Sequence, residues 1–232
     1  MEDIKKRLFQ GISDSWLQFF SQPTLSNEIN YVLGQVDWPN CIPSIDNVMN
    51  AFRFTYPEEV KVVIIGQDPY PGTIQTSNGQ SPYAMGLSFS VSRNVPLSNI
   101  PGSLVNVFKC LRNNYPNIRI ESGDLTKWAL SGVLLLNTSL TLKGKDKINY
   151  WNGFTTGVIR ELYTRNPKII FVAWGNPAKE LLNEIPRCIR VEGIHPSNAT
   201  GRVEEFITAK HFCNINALLA GMGIPPIDFG VY

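Results

Sequence analysis

Val62-Val63-Ile64-Ile65-Gly66-Gln67-Asp68-Pro69-Tyr70-Pro71 decides how the chain reads. The apolar run is a buried strand, and the two prolines end it in a sharp turn. Asp68 then stands just past the strand's carboxyl end, where open α/β folds place their ligands. The same grammar returns three times: Gly132-Val133-Leu134-Leu135-Leu136 ends in Asn137, Lys168-Ile169-Ile170-Phe171-Val172-Ala173-Trp174 ends in Gly175-Asn176, and Ile189-Arg190-Val191-Glu192-Gly193-Ile194 ends in His195-Pro196-Ser197. Four strand ends converge on one Asp, one Asn and one His.

Helical patterns lie between these strands and make the sheet parallel. Leu104, Val107, Phe108 and Leu111 recur at helical spacing, and Asp124-Leu125-Thr126-Lys127-Trp128 starts a second helix. Phe154, Val158, Ile159, Leu162 and Tyr163 mark a third; residues 177–185 form a fourth and residues 207–219 a closing helix. Strand–helix alternation with right-handed crossovers predicts α/β class: a three-layer α/β/α sandwich around a central four-stranded parallel sheet. Residues 1–232 read as one domain, with residues 1–55 as helices packed on the core through Trp16, Phe19, Phe20 and Val32.

Composition adds boundaries. A chain of 232 residues, 43% hydrophobic and 17% charged, is long enough for one well-filled core. Neither a membrane span nor an apolar secretory segment is evident, so an intracellular location is expected. Cys41, Cys110, Cys188 and Cys213 are widely spaced beside only two histidines, which predicts reduced thiols rather than disulfides or a zinc site. The net charge of +2 does not announce nucleic acid. One local cluster, Lys143, Lys145 and Lys147, is either a solvated loop or a phosphate contact.

The motifs in their order resemble family 1 uracil-DNA glycosylase. Gly66-Gln67-Asp68-Pro69-Tyr70 is similar to that family's water-activating loop and Gly86-Leu87-Ser88-Phe89-Ser90-Val91 to its stacking segment; Leu134-Leu135-Leu136-Asn137 is similar to its base-reading strand and His195-Pro196-Ser197 to its leaving-group loop. Gly123-Asp124-Leu125, Lys210-His211-Phe212 and Pro226-Ile227-Asp228 add to the match, which covers residues 58–229. The resemblance implies hydrolysis of the bond between uracil N1 and deoxyribose C1′ in base excision repair, by a monofunctional glycosylase with no metal and no cofactor.

That chemistry places positive charge on the sugar and negative charge on the departing base, so it needs an anion on one side and donors on the other. By resemblance Asp68 orients the water and stabilises the sugar cation, and a neutral His195 donates to uracil O2. Gln67 offers its backbone N–H to O2. Asn137 pairs with uracil N3–H and O4 and so rejects cytosine, Tyr70 is the wall against the 5-methyl of thymine, and Phe89 stacks on the flipped base. Ser103, Gly175 and Ser197 approach DNA phosphates, with Asn176 in place of the more usual serine.

Three departures bear on what the resemblance implies. Pro71 stands where the family has histidine, residues 73–85 form a longer polar insertion, and Ala199 stands where a leucine wedge enters the duplex. The first and last resemble divergent viral branches. Arg202 compensates for the lost wedge, or single strands are preferred. Partners are therefore single- and double-stranded DNA containing uracil, with a protein inhibitor or a replication partner left open. Two rival readings stand beside this one. A catalytically weak DNA-binding or replication-accessory protein on the same fold is the first; a nucleotide-binding α/β protein is the second, and it lacks any Gly-rich phosphate loop after a strand.

Overall fold

A computed structural model describes residues 2–76, 79–142 and 148–232. The three lysines at 143, 145 and 147 lie outside the described residues. Four short strands, β1 (Val62–Gly66), β4 (Val133–Asn137), β5 (Ile170–Trp174) and β6 (Ile189–Gly193), pair in parallel in the order β4-β1-β5-β6. All five residues of β1, β4 and β5 are buried, as expected of parallel strands covered on both faces. Edge strand β6 instead exposes Glu192, which pairs with Arg190 at 3.2 Å. The three-layer α/β/α arrangement is the one expected from the sequence.

Strand β1 leads toward β4 on one side while β5 leads toward β6 on the other. Connections therefore diverge between β1 and β5, and the crevice above their carboxyl ends is the natural ligand position. Helices α1 (Glu2–Leu8), α2 (Asp14–Phe20), α3 (Pro23–Gln35) and α4 (Asn50–Phe54) come first in the chain, and α3 packs on α7 (Asn152–Arg165). The attachment is aromatic. Phe20 and Phe52 meet Phe154 of α7 with ring centroids 5.4 and 5.9 Å apart, and the buried Trp16 indole donates to the Thr55 carbonyl at 2.7 Å.

Helix α5 (Gly102–Asn114) and α6 (Thr126–Leu130) lie between β1 and β4, and α8 (Asn176–Leu182) follows β5. Asp124 lies before α6 rather than starting it; Leu125 holds the capping position, and the Asp124 carboxylate accepts from the Thr126 N–H at 2.9 Å. Gly132 is a turn residue at φ +95°, where an added Cβ would stand 2.6 Å from the Glu59 carbonyl, so the strand begins one residue later than the sequence suggests.

Two expectations change. The closing helix is two helices, α9 (Val203–Thr208) and α10 (His211–Gly221), because Ala209 turns extended at ψ 155° between them. The polar insertion after Pro71 forms an antiparallel hairpin of β2 (Thr73–Thr76) and β3 (Gly79–Pro82). Its base is closed by the Tyr83 N–H donating to the Gly72 carbonyl at 2.8 Å. All four cysteines are free thiols. Among the described residues no helix is long and apolar enough to cross a membrane.

Candidate active site

Three of the four strand ends meet in one cavity, while the fourth, Gly175-Asn176 after β5, lines the groove beside it. A cavity of about 350 Å³ is lined by Gln67, Asp68, Tyr70, Phe89, Ser103, Asn137 and His195, together with Gly66, Pro69, Pro71 and Leu142. This is the low end of the range for small-molecule sites and suits a planar heterocycle.

The floor is built from backbone bonds between β1 and β4. Thr138 N–H donates to the Gly66 carbonyl at 2.9 Å, and the Gln67 carbonyl accepts from both Ser139 N–H at 3.0 Å and Thr138 Oγ1 at 2.9 Å. Gly66 lies opposite Asn137 in register, and a Cβ there would collide with Asn137 Oδ1. The glycine thus leaves room for a buried amide at the end of β4. Gln67 Nε2 donates to Asp68 Oδ2 at 2.9 Å, which orients the half-buried carboxylate.

Phe89 forms one wall on a constrained backbone. Its φ is +60°, a conformation that costs a non-glycine residue about 1–3 kcal/mol and gathers at functional sites. The surroundings hold it there. Ser88 donates from Oγ to the Ile64 carbonyl and from N–H to the Leu135 carbonyl, both at 3.0 Å. On the other flank Ser90 Oγ accepts from Leu125 N–H at 2.9 Å and Val91 N–H donates to the Gly123 carbonyl at 3.1 Å. The Phe89 ring meets Trp174 edge-on at 5.4 Å and lies 6.1 Å from the His195 ring. Tyr70 forms a second wall; burial pushes its phenol pKa well up, so it is neutral.

His195 Nδ1 accepts the Ser197 N–H at 3.1 Å. Burial lowers the imidazole pKa below its usual 6.5, so the ring is neutral and its single proton sits on Nε2. Gly175, at φ +95°, lets the ring approach: a Cβ there would stand 2.9 Å from His195 Cβ. A carboxylate and a neutral imidazole donor in one small cavity can stabilise a cation on one side of a breaking bond and an anion on the other.

A second groove of about 350 Å³ adjoins the first and shares Gln67 and His195 with it. Gly175, Asn176, Lys179, Thr200 and Arg202 line it. Ser197 Oγ caps the short turn Asn198–Thr200 through Ala199 N–H at 3.2 Å, which leaves Ala199 exposed. Arg202 is not a free cation; its guanidinium forks onto Glu205 at 2.5 and 2.6 Å, which holds its pKa up.

Ser103 lies in the first cavity rather than in the groove, its Oγ 2.8 Å from the Tyr70 hydroxyl. Asn106, Thr138 and Leu142 belong to none of the motifs, and Ser88 enters only as a neighbour of Phe89. A buried amide at Asn106 inside the apolar stripe of α5 is the one signal that the sequence offered.

A family model for the uracil DNA glycosylase superfamily matches residues 53–220. The chain belongs to the uracil-DNA glycosylase superfamily. It is 38% identical over 195 residues to a uracil-DNA glycosylase of Bacillus cereus, covering 82% of this chain and 81% of the relative. The corresponding protein of Campylobacter concisus is 39% identical over 188 residues, with 78% and 76% covered. Among solved structures, mimivirus uracil-DNA glycosylase superposes with a TM-score of 0.76 at 26% identity, over all of this chain and 92% of that one. A single-residue variant of the mimivirus protein in complex with UGI gives 0.78 at 27% identity, over 100% and 93%.

Proposed function

We propose that this superfamily member excises uracil from DNA as a monofunctional hydrolase and leaves an abasic site. The observation that carries the reading is the shared cavity: Asp68 and His195 line it together with the buried Asn137 amide and the Tyr70 and Phe89 walls.

The chemistry follows from those groups. A flipped deoxyuridine enters with its base between Phe89 and the strand ends, and Asn137 presents its carbonyl to N3–H and its NH2 to O4. Tyr70 stands against C5. As the C1′–N1 bond breaks, its electron pair goes to the base, and the negative charge on O2 meets His195 Nε2–H and the Gln67 backbone N–H. The sugar cation that remains is stabilised by Asp68, which orients a water; the water's oxygen bonds to C1′ and its proton leaves to the carboxylate or solvent.

Residues 1–232 act as one domain in this reading. The adjoining groove takes the DNA backbone, with Gly175, Asn176 and Ser197 at phosphates, Arg202 beside them and Ala199 facing the gap left by the extruded nucleotide. Both single- and double-stranded DNA are substrates, in a compartment that contains DNA. A protein inhibitor of the kind bound by the mimivirus relative would cover the same mouth.

The test is a set of oligonucleotides carrying one uracil, thymine or cytosine, incubated with the protein in a chelator. The expected result is release of free uracil alone, with an alkali-labile abasic site at the uracil position. Binding of the oligonucleotides without base release would support the non-catalytic accessory reading instead.

A further inference from the structure

Helix α5 carries one side chain that apolar packing does not explain. Asn106 is 3% exposed, between the buried Leu104 and Val107, and a buried amide is favourable only when its polar atoms find partners. Its Nδ2 donates to the Pro196 carbonyl at 2.9 Å and to Asn198 Oδ1 at 2.8 Å.

The first of these bonds matters most, because the Pro196 carbonyl and the Ser197 N–H are the two ends of one peptide group. That group is planar, so fixing the direction of its oxygen fixes the direction of its N–H. The same N–H donates to His195 Nδ1 at 3.1 Å. A continuous path therefore runs from the Asn106 amide through one peptide to the imidazole, and donation at the carbonyl also polarises the N–H at the far end.

We propose that Asn106 is a positioning residue for His195. It holds the 196–197 peptide so that the Ser197 N–H stays on Nδ1, which keeps the ring neutral, keeps the proton on Nε2 and fixes the plane of the ring in the cavity. Ser103, one turn earlier on α5, meets the Tyr70 hydroxyl, so a single helix stripe supports two opposite sides of the site. The inference rests on the reading of His195 as the donor to the departing base, but the tautomer itself can be observed without any substrate.

The experiment compares wild type, Asn106→Leu and Asn106→Asp by nitrogen-15 histidine spectra at pH 7 and by single-turnover uracil release. Asn106→Asp keeps the size of the side chain and replaces the donor by an acceptor. Wild type should show His195 with its proton on Nε2 and a hydrogen-bonded Nδ1. Either variant should show mixed tautomers and lose ~10-fold or more in kcat, with KM changed much less, because ring placement matters mainly in the transition state. In a His195→Leu background the Asn106 substitution should add almost nothing, since two groups acting through one path are not additive. Asn113→Leu is the control: its amide lies on the same helix and donates to the Ile207 carbonyl at 3.1 Å, so it should lower stability without moving the His195 signals.

Unchanged His195 spectra and kcat in a folded Asn106 variant would overturn the proposal, as would an equal loss in the His195→Leu background. Should neither variant fold, the wild-type spectrum still decides: a proton on Nδ1 at pH 7 contradicts the path. Failure of wild type to release uracil, with the expected tautomer present, would count against the proposed function and not against Asn106.

Discussion

The Tyr70 hydroxyl stands 2.8 Å from Ser103 Oγ, so this wall of the cavity is braced by the first turn of α5. A wall that excludes one methyl group must not yield by the width of that methyl, and a ring held only at its backbone can tilt. Tyr70→Ala is expected to release thymine as well as uracil, at lowered efficiency on uracil, because it removes the steric block. Tyr70→Phe keeps the ring and loses the brace, so thymine release should stay much lower. Oligonucleotides carrying each base, assayed side by side, give the answer. A Tyr70→Ala protein active on uracil with no thymine release above wild type would show that the wall is elsewhere.

Asn137 is 7% exposed, and its amide is seated over Gly66. Asn137→Asp exchanges the NH2 donor for an acceptor and should admit cytosine, whose 4-amino group is a donor, while uracil release falls. Gly66→Ala should lower uracil release even though no polar group is removed, because the new methyl takes the space of Asn137 Oδ1. Base-release rates on uracil and cytosine, with thermal unfolding as a fold control, check both variants.

Ala199 is exposed at the tip of a capped turn, and in the proposed reaction it offers only a methyl to the gap left by an extruded nucleotide. The extrusion cost should therefore weigh more heavily on paired DNA, giving a preference for single strands. Ala199→Leu should narrow the gap by ~1–2 kcal/mol, roughly tenfold in duplex rate, the scale of burying one isobutyl group. The measurement is kcat/KM on matched single-stranded and U·A duplex substrates at one salt concentration, since phosphate contacts make binding salt-dependent. Equal wild-type rates on both substrates would assign the role to Arg202 or to the β2–β3 hairpin.

His211 begins α10, is 4% exposed and has its pKa pushed down to about 4 by burial. Its folded pKa lies below the unfolded value, so the unfolded chain binds the extra proton. Stability from this group is intact above pH ~6.5 and is lost as pH falls toward ~4, by an amount on the order of 3 kcal/mol. Urea unfolding from pH 7 to pH 4 should show that loss, and His211→Gln should flatten the curve relative to wild type. Parallel curves for the two proteins would contradict it.

Much of this architecture is legible in the chain because buried parallel strands leave short apolar runs. Strands β1, β4 and β5 stand out for that reason, edge strand β6 shows instead an alternation of Ile189 and Val191 with Arg190 and Glu192, and the polar residues just after these strands fall at the crevice. The hairpin of β2 and β3 was not legible: Thr73-Ile74-Gln75-Thr76 carries only one apolar residue and is held by backbone pairing. The break between α9 and α10 was hidden for the opposite reason. Phe206, Phe212, Ile215 and Leu219 all face the core, so the apolar pattern runs through the extended residue Ala209. Within the site, motif order marks most of the groups that line the cavity, Leu142 excepted, but assigns no part to the side chains that hold them. Ser88, Asn106 and Thr138 act through bonds to backbone atoms of distant segments, which no spacing rule encodes.

In the proposed reaction Asp68 and His195 stabilise opposite charges across the breaking glycosidic bond. Single-turnover release of uracil from a single-stranded oligonucleotide, compared between wild type, Asp68→Asn and His195→Leu in a chelator, tests it most directly. Each substitution should slow release by at least ~10²-fold with the unfolding midpoint nearly unchanged, because each removes a group that acts mainly in the transition state. Wild-type rates in both variants, with the fold intact, would contradict the account.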